Sequence, residues 1–196
     1  METGRTVMTK DFILASGSPH RKQLLLSAGF EPKEIVTADI DETPKPDEIP
    51  TDYVQRMALS KAKAVHALRP DDMILAADTI VVCNGKIIQK SKDDEEQRQV
   101  MRFLSGTKHS VLTAVCLIDR NGKTYQKMSE TGVHIKTLSE KEIDLYVQSK
   151  RWVGCCGYNN DGIMESFTEG FYGSYSGLVG LPLCIVRELF NEVGLL

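Results

Sequence analysis

The stretch FILASGSPHRKQLLLSAG, residues 12–29, changes character at its middle. Its first four residues are apolar and too few for a helix, which predicts a short buried strand. Ser16, Gly17 and Ser18 then form a turn of small polar residues. Pro19 suits the first turn of a helix, where its missing N–H costs nothing, and Gly29 suits the stop. The order strand, polar turn, helix predicts free backbone N–H groups and the positive end of a helix dipole beside Ser16 and Ser18.

Working outward, residues 35–40 read as a second short strand that runs into DETPKPDEIP, a proline-broken acidic loop. Thr51 is placed to cap a helix extending to Arg69. Residues 73–82 form the most apolar strand, interrupted by Asp78 and Thr79, and Asn84-Gly85 predicts a hairpin into residues 86–88. A charged helix follows over 91–104, with Val100, Phe103 and Leu104 as its inner face. Residues 110–119 and 130–136 read as paired strands with Asn121-Gly122 as a turn. Ser139 and Glu142 have capping-box spacing for a helix to about Ser149. The Gly-, Asn- and Tyr-rich region 153–180 predicts loops and strand, and 183–193 a closing amphipathic helix. Strands alternating with helices beside strands in hairpins give an α/β fold with a mixed β-sheet and flanking helices, in two lobes around a cleft.

A chain of 196 residues that is 41% hydrophobic suffices for one domain. We expect a 1–10 extension and a single domain over 11–196. The net charge of −3 provides no basic surface for a nucleic-acid polymer, though a nucleotide needs only a few placed cations. Five cysteines without a CxxC pair argue against a disulfide framework or a structural zinc site. No apolar run reaches the roughly 20 residues of a membrane span. A cytoplasmic protein is expected, with Arg5 and Lys10 as the weak basis for an organellar signal.

Several groups carry possible chemistry. Ser16, Ser18 and Arg21 offer hydroxyls and a guanidinium fork that match phosphate oxygens. Alone, such a trio more often marks an ordinary helix cap with a surface arginine. Asp78 in an apolar strand is costly unless paired or metal-bound, and reads as a ligand or a base for water; a turn-capping aspartate is the alternative. The acidic pair Asp41-Glu42 could hold Mg²⁺, and Lys61 and Lys90 could neutralise phosphate charge, although isolated charged residues are usually solvated. Trp152 and Tyr158 could stack on a base and Asn159, Asn160 or Asp161 could read its edge, or the aromatics could fill the core. His109 suits a structural role.

The blocks LASGSPHRKQLL, DETP, ALSKAKAV, AADTIVV, LSGTKHSVLTAV and GSYSGLVGLPL, in this order, resemble the Maf proteins. These are nucleotide pyrophosphatases also described as septum formation inhibitors. The resemblance spans about Phe12 to Leu195. It implies that Ser16, Ser18 and Arg21 bind a triphosphate, that Glu42 and Asp78 hold Mg²⁺ or Mn²⁺ or activate water, and that Lys61 and Lys90 contact phosphates. Asp78 is then the expected general base for attack of water at the α-phosphorus. A fold similar to the inosine triphosphate pyrophosphatases, a homodimer and a nucleotide-clearing role are implied with it. The sequence departs from the family at Gln89-Lys90-Ser91, where Gly-Lys-Pro is usual. Asp161 is similar to a 7-methyl-GTP branch, whereas Thr79 resembles the dTTP/UTP branch. As an acceptor-only group, Asp161 would favour guanine if it reaches the base, and Trp152 could stack on cationic 7-methylguanine. The rival class is a nucleotide-sensing regulator of cell division that binds without hydrolysing.

Overall fold

The computed structural model describes residue 9 and residues 11–196. Apart from Thr9, the expected N-terminal extension, with Arg5 and Lys10, lies outside the described residues.

In chain order the elements are β1 (Ile13–Ala15), α1 (Pro19–Ser27), β2 (Glu34–Ile35), α2 (Pro50–Leu68), β3 (Ile74–Cys83), β4 (Lys86–Ile88) and α3 (Asp94–Leu104). Then come β5 (Lys108–Ile118), β6 (Thr124–Ile135), α4 (Glu140–Gln148), α5 (Ile163–Ser166), β7 (Thr168–Tyr172), α6 (Tyr175–Val179) and α7 (Leu183–Glu192). Among the described residues seven strands form one sheet in the order β2-β1-β3-β5-β6-β7, with β4 paired to β3. β1 is parallel to β2 and β3, and the other pairings are antiparallel. This is the mixed α/β sheet expected from the sequence.

Strand alternation sorts the core onto the sheet's two faces. Ile74, Ala76 and Ile80 of β3 pack beneath Val54, Met57, Ala58 and Ala62 of α2. Leu75 and Ala77 face Leu25 of α1 and Val186, Leu189 and Phe190 of α7. A third cluster joins Met101 and Leu104 of α3 to Tyr146 and Val147 of α4, with Trp152 and Tyr158. Helices α1 and α2 therefore cover opposite faces, and the chain reverses direction across the sheet between β1 and β3. Crevices in open α/β sheets form at such a switch point, beyond the carboxyl ends of the parallel strands.

Several boundaries differ from expectation. The second strand is only Glu34–Ile35, because β1 ends at Ala15 and offers no ladder further on. Val36, Ala38 and Ile40 pack on the α2-side core instead, and lead the chain to Glu42. The cap of α2 is Ile49, with Pro50 at the first helical position and no side-chain cap bond, so Thr51 does not cap it. The inner face of α3 carries Gln97, Met101 and Leu104 with Val100 packed beside them, so Val100 and Leu104 face in as expected but Phe103 is exposed. β6 begins at Thr124 rather than near residue 130, since the full-length ladder with β5 pairs a polar segment that lacks an apolar pattern.

Other local signals hold. Asn84 and Gly85 have φ of 50° and 74°, the left-handed pair of a type I′ hairpin turn. The capping box is present: Ser139 Oγ accepts from Glu142 N, and the Glu142 carboxylate accepts from Ser139 N at 2.8 Å. Ser139→Ala is expected to cost ~1 kcal/mol in chemical denaturation without changing activity. An unchanged midpoint would show that the box contributes nothing to stability. Among the described residues, no helix is long and apolar enough to cross a membrane.

Candidate active site

The ladder leaves a gap that becomes a cleft. On one edge of β3, β1 pairs with Ile74–Ala76 and β4 with Val81–Cys83. Between them that edge is open at Asp78 and Thr79. The start of α1, the acidic loop and the segment 154–161 surround the opening, a cavity of about 230 Å³. Asp78 and Thr79 lie on opposite sides of the strand but at the same open edge, so both line the cleft.

The turn after β1 builds one wall. Ser18 caps α1, and Ser16 Oγ accepts from Ser18 N at 3.2 Å and from Arg21 Nη1 at 3.1 Å. Arg21 also donates through Nε to Gly180 O at 2.8 Å and through Nη2 to Thr79 Oγ1 at 3.1 Å. Thr79 continues to Thr113 at 3.0 Å, which donates to Gly177 O at 2.8 Å. One guanidinium thus joins the β1–α1 turn, β3 and the end of α6. Burial lowers the Arg21 pKa, opposed by the charges of Asp78 and Glu42. Ser18 and Arg21 line the cleft, whereas Ser16 is buried behind them and holds Arg21 in place.

The opposite wall is a chain of alternating charge. Lys61 projects from α2 to Asp78 Oδ1 at 2.5 Å and Glu42 Oε1 at 2.8 Å, and Lys90 reaches Glu42 Oε2 at 2.5 Å. The Asp78 and Lys61 side chains are only 11% and 14% exposed, so this pairing occurs in partly dry surroundings where charge interactions are strong. Burial raises the Glu42 carboxyl, but hydrogen bonds and charge from Lys61 and Lys90 outweigh it and hold the pKa at about 2. Only one of the two adjacent acids faces in: Asp41 is exposed and accepts from Thr43 N at 2.9 Å. Tyr53 of α2 donates to Glu42 O at 2.7 Å, and Arg56 grips Glu48 at 2.5 and 2.6 Å and Thr43 O at 3.1 Å, fixing the acidic loop.

Between these walls the cleft turns apolar at Val81, Val111, Leu178 and Tyr158, with Asn159, Asn160 and Asp161 beyond. Tyr158 meets buried His109 at 2.6 Å. Burial drops His109 to a pKa of about 4, so it stays neutral and anchors the tyrosine. Trp152 does not reach the cleft. It is 4% exposed, packed in the α3–α4 core, with its indole N–H on Val147 O at 2.9 Å. Asp161 lines the cleft, yet its carboxylate lies 3.2 Å from Arg151, so it is already paired with a cation.

Sequence reasoning missed His20, Tyr53 and Cys156 as lining residues. Asn159 and Asn160, between Tyr158 and Asp161, line the cleft as well. Tyr53 sits on the buried stripe of α2, where nothing in the pattern separates it from core. Cys156 forms wall: burial and Asp78 hold its thiol up at about 11, so it stays protonated. The described residues contain no group of three or more His, Cys, Asp or Glu placed to hold a metal by themselves. The oxygen-only pair Glu42 and Asp78, converging on one ammonium, suits a hard cation that keeps several waters and takes substrate oxygens as well.

A family model described as Maf-like protein matches residues 11–193. The chain is 42% identical over 188 residues to a dTTP/UTP pyrophosphatase of Zymomonas mobilis, covering 95% of this chain and 93% of that protein. It is 38% identical over 195 residues to a dTTP/UTP pyrophosphatase of Novosphingobium aromaticivorans, covering 99% and 97%. It is 38% identical over 188 residues to a nucleoside triphosphate pyrophosphatase of Neorickettsia sennetsu, covering 95% and 90%. Among solved structures, a HAM1 protein from Coxiella burnetii overlaps 65% of this chain and 73% of its own, with a TM-score of 0.44 and 17% identity.

Proposed function

The chain belongs to the Maf-like family, and from that membership and the cleft we propose a nucleoside triphosphate pyrophosphatase that prefers dTTP and UTP and uses Asp78 as general base. The reaction converts a nucleoside triphosphate and water into the monophosphate and pyrophosphate. The observation that carries the residue roles is the alternating chain Asp78–Lys61–Glu42–Lys90 at the open edge of β3, beside the start of α1.

In this reading the triphosphate lies along the start of α1, where Ser18, the helix dipole and Arg21 favour negative charge. Lys61 and Lys90, freed from the carboxylates they now neutralise, turn to the phosphates and offset charge that develops on the leaving pyrophosphate. Asp78 takes the proton of the water that attacks the α-phosphorus. Glu42 and Asp78 would hold a Mg²⁺ or Mn²⁺ ion, which would polarise the phosphoryl oxygens and stabilise the leaving group.

The base rests against Val81, Val111, Leu178 and Tyr158. Uracil and thymine present one donor between two carbonyls, and the carboxamides of Asn159 and Asn160 supply both donors and acceptors. The Arg151 guanidinium, 3.2 Å from the Asp161 carboxylate, offsets its negative charge and so weakens the pull of that edge on the donors of guanine. The names of the relatives agree with this preference. Free cysteines fit a reducing compartment, and the proposal places the enzyme in the cytoplasm as a homodimer.

A panel of nucleoside triphosphates with Mg²⁺ or Mn²⁺, read by pyrophosphate release, tests the proposal. dTTP and UTP are expected to exceed 7-methyl-GTP in kcat/KM by at least ~10-fold. A reversed order would overturn the base preference. Binding without pyrophosphate release, with either metal, would favour the regulator instead.

A further inference from the structure

Helix α3 presents a polar residue where its stripe demands an apolar one. Gln97, Met101 and Leu104 form the buried face, and Gln97 is only 1% exposed. A buried primary amide is costly unless its donor and acceptor are both used. Here both are. Oε1 accepts from Ser91 Oγ at 2.7 Å, and Nε2 donates to Gly157 O at 2.8 Å.

The two partners belong to different walls of the cleft. Ser91 follows Lys90, which grips Glu42 at the phosphate end. Gly157 precedes Tyr158 and Asn159 at the base end. The same two segments meet a second time through an antiparallel bridge between Lys90 and Cys156. Gly157 has φ of +75°, and a Cβ there would meet Val81 Cγ2 at 3.1 Å. Its segment therefore lies flush on β3 and presents its carbonyl to α3. A leucine or methionine would fill the Gln97 position as well, but would leave Gly157 O without this donor.

We infer that Gln97 is a positioning residue: from behind the cleft it sets the separation between the Lys90 segment and the Tyr158–Asn159 segment, and so the register of base against phosphates. It touches no reacting atom. The inference rests on the pyrophosphatase reading above, and its effect falls on substrate fit rather than on the chemistry at Asp78.

Gln97→Met keeps the length and packing of the side chain and removes both bonds. It is expected to raise KM for dTTP at least ~5-fold, to change kcat less than ~2-fold, and to move the dTTP to 7-methyl-GTP ratio of kcat/KM toward unity. Ser91→Ala cuts one of the two bonds, is expected to shift the same quantities by a smaller factor, and decides the matter if Gln97→Met does not fold. Wild-type KM and base ratio in the folded variants overturn the inference, as does a loss confined to kcat or to melting temperature. If the wild-type enzyme released no pyrophosphate, the reading of function would fail instead. The variants' affinity for α,β-methylene-dTTP would then still test the strut, with weaker binding expected and unchanged binding overturning it.

Discussion

Asp78→Asn is expected to lose at least ~10²-fold in pyrophosphate release while still binding nucleotide. The substitution preserves the side chain's shape and an oxygen that Lys61 can reach, but removes the charge and the capacity to take a proton. Lys61 keeps Glu42 at 2.8 Å, so the ammonium is not stranded. The loss of stability should therefore stay within ~1.5–3 kcal/mol, the range for one charged hydrogen bond. Single-turnover pyrophosphate release, set beside equilibrium binding of α,β-methylene-dTTP, separates chemistry from affinity. Wild-type turnover in this variant would sink the assignment of Asp78 as base. Loss of binding together with turnover would make it a substrate ligand instead.

Arg21→Lys is expected to damage both stability and turnover, although it conserves charge. The fork of Arg21 makes three directed bonds, to Ser16, Thr79 and Gly180, from one planar group. An ammonium on a shorter, flexible stem cannot span all three. Losing two bonds at ~1.5–3 kcal/mol each predicts a clear fall in melting temperature. The wall proposed to receive the triphosphate would also shift relative to β3, and misplacement near 1 Å costs on the order of 10²-fold in rate. Thr79→Val, which leaves the fork its bonds to Ser16 and Gly180 but removes those of the Thr79 hydroxyl to Arg21 and Thr113, should show the same two effects at smaller size. A normal melting curve and normal kcat/KM in Arg21→Lys would show that the fork does not organise the cleft.

Much of this arrangement was legible in the residues. β1, α1, β3, the Asn84-Gly85 hairpin and the Ser139 capping box depend on local chemistry: apolar runs, helix caps and left-handed turn positions. The start of β6, the cap of α2 and the place of Gln97 on the inner face of α3 were not legible. Each was decided by what the segment packs against. Gln97 illustrates the difficulty, since a glutamine on a charged helix reads as surface until its partners, Ser91 and Gly157, are known. Trp152 is the converse case, an aromatic beside a Gly-rich loop that suggested stacking but whose indole N–H is taken by Val147 O.

The sequence by itself determined that a strand ends at Ser16-Gly-Ser-Pro and opens a helix, that Asp78 interrupts an apolar strand, and that the ordered blocks resemble one family. These features arise over a few residues, where dihedral preference and periodicity act. Only the tertiary structure decided which groups meet. It joined Lys61 to Asp78 and Glu42, used Arg21 as an internal clamp, withdrew Ser16 and Trp152 from the cleft wall, and paired Asp161 with Arg151. Those contacts join residues distant in the chain, and they depend on where β1 ends and leaves the edge of β3 open, which no local pattern encodes.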